Sequence, residues 1–448
     1  MNSSMIQMNS GSISKNMIRF AFPLFIGNLL QQLYNIVDSL IVGNIEGTNA
    51  LAAITSTGSL TFLLIGFFQG VFSGASVIIS KYFGANEREQ VQKAVHTAVA
   101  FGLTVSVILT FLGVLFTPSL LRLLGTPANV LPGATTYMRI YFSGIASVIL
   151  YNTANGIYQA MGDSKHPLHY LIISSITNVL LDLLFVGLFR MGVAGAAFAT
   201  VLSQGVSTVL AFYRLMKTNE VYQVRLRKLR FEKRIVSEIL RIGIPSGIQN
   251  SVIGLANTVV QANINSFGSL AVAGCGSYSK IEGFVFIPIV SFSMAITTFV
   301  SQNLGARQYD RAKKGATFGI ISACGIAALI GIIFYLFAPT FISLFGTDAS
   351  SIEIGVKEAR IITLFYTLLA FSHSTAGVLR GAGKSIIPMF IMLGSWCLLR
   401  VTYVTTMLHF IPKIQVIFWA YPLTWTVSSI AFLGFLVKSD WVHGLEIE

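Results

Sequence analysis

Two aspartates lie where an ionised group is costly. Asp38 closes the series Asn28, Gln31, Asn35, Asp38, and Asp182 closes the series Ser174, Asn178, Asp182. Spacings of three and four residues put each series on one face of a helix. The surrounding residues are apolar, and a carboxylate in the centre of a bilayer costs about 2.5–3.5 kcal/mol or more. Faces like these line a wet cavity, or they glue helices together. Two acids with amides nearby suit a cation site built from oxygens. They equally suit a proton site in which one acid is neutral. Three more charged residues, Lys280, Glu282 and Arg400, fall inside apolar runs. Lys280 and Glu282 are two residues apart and cannot face each other on a helix. Arg400 is a candidate partner of Glu282; the plain reading of all three is structural neutralisation, and direct contact with substrate is the alternative. Tyr34, Tyr151, Tyr158, Tyr278 and Trp419 lie near polar positions, where an aromatic face can hold a flat organic cation. His166 and His169 have the spacing of a chelating pair but no third ligand nearby, so they read as structural or interfacial histidines.

The elements that position these residues follow from composition. Of 448 residues, 54% are hydrophobic and 10% charged, with a mean hydropathy of +0.73. A soluble chain of this size carries far more charge. Apolar runs of about 20 residues read as membrane-spanning helices. Twelve are expected, near 18–42, 50–80, 94–117, 137–160, 168–189, 192–214, 242–266, 270–303, 314–345, 360–380, 386–411 and 414–437. On these spans the seventh and tenth helices carry no acid. No cleavable signal peptide is expected, because Ala21-Phe22-Pro23 runs into a long helix. Cys275, Cys324 and Cys397 sit inside apolar runs and suggest neither disulfides nor a metal pair. The sequence has no Walker A, GxSxG, HExxH or dinucleotide fingerprint, so neither an ATP-driven pump nor an enzyme has support. No cofactor is implied.

The net charge of +13 is explained by placement. With an even number of spans both termini share a side, and 22 of the 30 Lys and Arg residues fall on it. That side is cytoplasmic by the positive-inside rule. Anionic membrane lipid, not nucleic acid, is the expected partner of the cluster from Arg214 to Arg241. A multi-pass protein of the cytoplasmic membrane is expected.

The chain repeats itself. Gly84-Ala85 matches Gly305-Ala306, and Leu-Phe-Thr-Pro at 115–118 matches Leu-Phe-Ala-Pro at 336–339. Gly125-Thr126 matches Gly346-Thr347, and Gly162 with Pro167 matches Gly383 with Pro388, all at an offset of 221. Arg19 and Pro23 match Arg241 and Pro245 at 222. The expected fold is all-α: two six-helix bundles related by a pseudo-two-fold axis along the membrane normal, with substrate between them near mid-membrane. The expected division is a polar tail at 1–16, a first lobe at 17–216, a basic cytoplasmic linker at 217–234, a second lobe at 235–438 and a tail at 439–448. Asn28 and Asn35 recur as Asn250 and Asn257, but Asp38 falls opposite Val260 or Gln261 and Asp182 near Tyr403. Cation coupling is therefore expected mainly in the first half.

Several segments resemble the multidrug and toxic compound extrusion (MATE) family. They are Pro23 through Gln31-Gln32-Leu33-Tyr34-Asn35 to Asp38 and Gly43, then Ala50-Leu51-Ala52-Ala53; Asn155-Gly156 through Gly162-Asp163-Ser164-Lys165; and Gly192 through Gly195-Ala196-Ala197 to Thr200. Gln302-Asn303-Leu304-Gly305-Ala306 and Leu379-Arg380-Gly381-Ala382-Gly383 continue the pattern from Arg19 to about Val437. The resemblance implies a cation-driven antiporter with alternating access that expels amphipathic organic cations. The motif pattern is most similar to the DinF-like prokaryotic branch. In that branch the coupling positions resemble Asp38, Asn178, Asp182 and Thr200 here, and Pro23 resembles the proline at which the first helix bends. Other branches use acids on the seventh and tenth helices, where this sequence has Gln249, Asn250 and His373.

The resulting expectation is secondary multidrug efflux in exchange for H+ or Na+, by a monomer acting on small amphipathic or cationic substrates. Na+, if used, would sit at Asp38, Asn178, Asp182 and Thr200. The expected substrate cavity draws on Asn28, Gln31, Tyr34, Asn35, Asn155 and Tyr158 of the first half and Asn257, Gln261, Tyr278 and Glu282 of the second. A dedicated metabolite exporter or a lipid-linked precursor flippase of the same superfamily is the alternative. Acids at the end of the first-half stripe disfavour an anionic lipid. A channel or receptor has less support, since a lopsided acid pair suits coupling better than conduction.

Overall fold

The computed structural model describes residues 5–46, 48–346 and 348–445. Thr347 of one repeat landmark and the outermost tail residues, 1–4 and 446–448, lie outside these, as do the side chains of residues 50–52. All regular elements among the described residues are helices. The first six segments are α1 (Ile13–Glu46), α2 (Thr48–Gly84), α3 (Arg88–Leu123), α4 (Leu131–Ser143 and Ile145–Ala160), α5 (Lys165–Leu188) and α6 (Gly192–Lys217). The next six are α7 (Lys233–Asn265), α8 (Ser269–Gly305), α9 (Tyr309–Leu336), α10 (Ala349–Gly381), α11 (Ile386–Phe410) and α12 (Gln415–Lys438). Among the described residues nine of these are long and apolar enough to cross a membrane. The other three have local reasons to fall short. Helices α1 and α7 carry the amide stripes, and α4 breaks at Gly144, where a Cβ would lie 2.0 Å from Val201 Cγ1.

Several helices begin earlier than hydropathy suggests, and one correction bears on chemistry. The tenth helix starts at Ala349, not near 360, and it contains Glu353 and Glu358. The statement that the seventh and tenth helices have no acid is therefore wrong for both, since α7 starts at Lys233 and contains Glu238. In the tenth, charged residues in the first turns masked a helix whose packed face continues through them: Ser351, Gly355, Glu358 and Ile362 are all buried. The expected ninth span also ran too far; α9 ends at Leu336 and a separate short helix, Ala338–Ser343, follows.

The repeat is visible in the backbone. Asn86 and Arg307, 221 residues apart, both adopt a left-handed conformation (φ 59° and 56°), as do Gly162 and Gly383 (74° and 76°). The closing hydrogen bonds repeat as well: Glu87 N to Tyr82 O (3.0 Å) matches Gln308 N to Asn303 O (2.8 Å), and Asp163 N to Tyr158 O (2.9 Å) matches Lys384 N to Leu379 O (2.8 Å). These are helix-ending motifs in which one left-handed residue lets the next amide reach back five positions.

The helices form two compact units. The first contains residues 5–7 and 22–243, the second residues 8–21 and 244–445. The crossing points fall beside Pro23 and Pro245, each inside a helix, where the ring removes a backbone hydrogen bond. Residues 8–12, part of the stretch 1–16 read from sequence as a polar tail, are docked in the second unit. Met8 is fully buried; its amide donates to Gln302 Oε1 (3.0 Å) and its carbonyl accepts from Asn303 Nδ2 and from Arg311 Nε and Nη2 (3.1 Å each). The basic linker is likewise packed, on the first unit: the Arg225 amide donates to His96 Nε2 (3.0 Å), and Tyr222 and Val224 are buried.

Within the first unit, α5 and α6 are tied by the Ser174 hydroxyl, which donates to Ser203 O (2.7 Å). Gly195 lets α6 approach Phe185, whose backbone carbon would lie 3.1 Å from a Cβ there. At the α2–α7 crossing a Cβ on Gly74 would lie 2.5 Å from Ile239 O. Small residues permit such approach, which dispersion and weak contacts then stabilise in lipid.

Candidate functional site

Asp38 and Asp182 come together. Their carboxyl groups lie within hydrogen-bonding reach of each other. Asp182 is fully buried and Asp38 half-buried. Among the described residues no hydroxyl, amide or backbone N–H reaches either Asp182 oxygen. One turn earlier on α5, Asn178 is buried with both polar atoms of its amide unpartnered. Thr200, on α6, is buried and donates to Ala196 O (3.0 Å).

Local backbone helps explain this arrangement. Immediately after Asp182 the α-helix widens into a π-helical turn, Leu183–Leu188, a distortion that often accompanies functional sites. The i, i+4 step from Asn178 to Asp182 keeps both side chains on the face that meets α6.

Two tyrosines, Tyr34 and Tyr137, interact with the pair and a third, Tyr141, backs them; Tyr137 and Tyr141 were missed from sequence. Tyr34, one turn before Asp38, interacts with Asp38, Asp182, Tyr137 and Tyr141. Tyr137 acts on both aspartates, and its hydroxyl lies within hydrogen-bonding reach of Thr200. Tyr141 stacks on Tyr137 with ring centroids 6.4 Å apart. The four-residue spacing of Tyr137 and Tyr141 in an apolar run was the available signal.

The expected cavity residues divide. Gln31 and Asn35 are exposed, Asn28 and Tyr34 half-buried. Asn155 is half-buried and accepts from Gln159 Nε2 (3.0 Å). Asn257 and Gln261 are exposed; Asn257 Oδ1 accepts from Arg400 Nη1 (3.2 Å) and Gln261 Nε2 donates to Asn265 Oδ1 (2.9 Å). Two assignments need correction. Tyr158 is fully buried, its hydroxyl donates to Ala211 O (2.9 Å), and its ring packs on His166, Tyr170 and Tyr222. It bolts α4 to α6 and has no surface to offer a cavity. Tyr278 is 2% exposed, with its hydroxyl 2.9 Å from that of Tyr366 and 3.2 Å from Glu282 Oε1. It too belongs to a bundle interior.

Arg400 does not form the expected ion pair. Its hydrogen bonds go to Asn257 and to Thr424 Oγ1 (3.1 Å), and its guanidinium lies 4.4 Å from the Tyr421 ring centroid. Lys280 lies 5.4 Å from the Phe345 ring centroid. His166 is held by Asp163 (2.5 Å), whose other oxygen accepts from the amides of Lys165 and His166 at the start of α5 (3.2 Å each).

A multi-pass helical chain of twelve-helix architecture with a buried acid pair has the build of a membrane transport protein. The MatE family model matches residues 23–184 and 245–405, two segments that begin at Pro23 and Pro245. The probable multidrug resistance protein YoeA of Bacillus subtilis is 31% identical over 434 residues, 95% of this chain and 93% of that protein. An FAD transporter of Shewanella oneidensis is 27% identical over 348 residues, 77% of each chain. A solved multidrug resistance MATE family transporter in an outward-facing conformation has the same fold, with a TM-score of 0.91 at 24% identity over 98% of both chains. The chain belongs to the MatE family of transporters.

Proposed function

We propose that this protein exports cationic or amphipathic small molecules in exchange for H+ or Na+, by alternating access. The Asp38–Asp182 contact carries the reading. Two ionised carboxylates cannot touch in a buried site without a cation between them. Bringing the pair its cation, and removing it, is a chemical step that a gradient can drive. Asn178 supplies an oxygen and Thr200 a hydroxyl beside the pair, and both fit a proton or a small hard cation. The relative named a multidrug resistance protein supports drug-like substrates. The Lys and Arg distribution supports cytoplasmic termini in the cytoplasmic membrane, and the chain acts as a monomer. Bending of α1 at Pro23 is the movement that cation binding would trigger.

The relative named an FAD transporter favours a second reading, export of one metabolite. Efflux of a fluorescent organic cation from energised vesicles separates the two. Under the first reading an imposed pH or Na+ gradient drives efflux, and Asp38→Asn abolishes it. Efflux of the dye under neither gradient, or an Asp38→Asn protein equal to wild type, overturns it.

A further inference from the structure

The second unit holds a cluster of ionisable groups that this exchange does not use. Helices α8 and α10 cross where neither side has a side chain. A Cβ on Gly274 would lie 2.4 Å from Ser351 O, and one on Gly355 2.7 Å from Gly274 O. That approach brings Cys275, Tyr278 and Glu282 of α8, spaced at one helical turn, to Glu358 and Tyr366 of α10. Tyr278 OH donates to Glu282 Oε1 (3.2 Å) and lies 2.9 Å from Tyr366 OH. The Cys275 thiol lies within hydrogen-bonding reach of Glu358. Glu358 is only 3% exposed, and among the described residues its Oε2 has no hydrogen-bond partner. Glu282 is half-buried.

The neighbouring helices contribute one cation. Arg400 of α11, 2% exposed, acts on Glu282, while its own hydrogen bonds go to Asn257 and Thr424. Tyr421 of α12 lies against Arg400 and acts on both glutamates. Cys275, Tyr278, Tyr366, Arg400 and Tyr421 are thus the ionisable groups around the two acids. The charge count does not close: two carboxylates face one guanidinium. A buried charge left uncompensated is strongly unfavourable, so the cluster is neutral only when it holds one proton. Glu358 is the acid enclosed without a cation against it, whereas Glu282 has a phenol donor and the field of Arg400.

We propose that Glu282 and Glu358 form a proton-binding site of the second unit, separate from the Asp38–Asp182 pair, with the proton resident on Glu358. Binding converts one carboxylate to the acid, and the hydronium that supplies the proton becomes water. The site stands independently of the antiport reading.

Infrared difference spectroscopy of the full-length protein in lipid nanodiscs tests it, through the carbonyl band of protonated carboxylic acids. Asp38→Asn with Asp182→Asn first removes the other pair. In that background a protonated-carboxyl band is expected at neutral pH, and Glu358→Gln removes it. Glu282→Gln provides the second arm: Glu358, still enclosed without a cation against it, keeps its proton and its band persists. Loss of the band in Glu282→Gln, or no Glu358-dependent band at all, overturns the proposal. Efflux failing in the first experiment would leave this result untouched.

Discussion

Replacing Asp182 with Asn isolates the Coulombic part of the proposed coupling. The variant keeps nearly the same shape and removes one charge from a pair in contact. Two unit charges about 4 Å apart interact by about 4 kcal/mol at an effective dielectric of about 20. A cation that enters the wild-type pair relieves a repulsion of that order. In Asp182→Asn the relief is gone and Asp38 must hold the cation alone. At about 1.4 kcal/mol per factor of ten, the half-saturating cation concentration rises by about three orders of magnitude. The assay is gradient-driven efflux in proteoliposomes as the coupling cation is titrated, alongside downhill exchange of the same substrate without a gradient. Driven efflux is expected to vanish over the accessible range while downhill exchange stays close to wild type. A half-saturating concentration within about tenfold of wild type would refute the reasoning, since the paired charges then contribute little of the predicted 4 kcal/mol.

Tyr158→Phe should leave efflux unchanged and lower stability by about 0.5–1.5 kcal/mol, the net worth of one hydrogen bond, read as a small fall in the thermal midpoint; a selective loss of substrate affinity would restore Tyr158 to the cavity. Gly243→Ala should destabilise by about 1–3 kcal/mol or more, because its Cβ would meet Val71 Cα and O at 2.7 Å each; an unchanged midpoint would show that α2 and α7 can separate freely. Arg311→Ala removes donors to Met8, Ser10 and Gly11 carbonyls, each charged bond worth about 1.5–3 kcal/mol, so hydrogen exchange at the Met8 amide should quicken by about tenfold or more. The His443 side chain, hydrogen-bonded to Asp440 (2.5 Å), holds that carboxyl below its ordinary value of 3.8. A depressed acid stabilises the fold above its unfolded value and loses that contribution as pH falls through the folded one. The protection factors of residues 439–444 should therefore fall only below about pH 4, and Asp440→Asn should make that protection independent of pH there.

Much of the architecture was legible because turns repeat more faithfully than helices. Gly162 and Gly383 must be small to hold a left-handed backbone, so the offset of 221 survives in sequence and in φ alike. The acid pair was legible because a charge in an apolar run has few places to go. Other features depend on partners that leave no local mark. Tyr158 reads as an aromatic near amides until a carbonyl 53 residues away takes its hydroxyl. Glu358 hid among the polar first turns of α10, and only the Gly274–Gly355 crossing shows that this stretch is interior. Tyr278 was assigned to the substrate cavity for the same reason, since its partner Tyr366 lies 88 residues on.

The exchange of helix ends between the units has a consequence for ancestry and for dissection. Residues 8–21 complete the unit built mainly from the later half of the chain, and residues up to 243 complete the earlier one. A cut in the 217–232 linker would therefore give two fragments, each carrying away a piece of the other's interior, with Met17 and Phe20 leaving one and Ile239 the other. Neither fragment is self-sufficient, but the two together hold every piece. A six-helix ancestor with this wiring would have met the same constraint, and two copies trading helix ends would have satisfied it, as in domain swapping. Fusion of those copies into one chain would then have preserved an obligate partnership rather than created one.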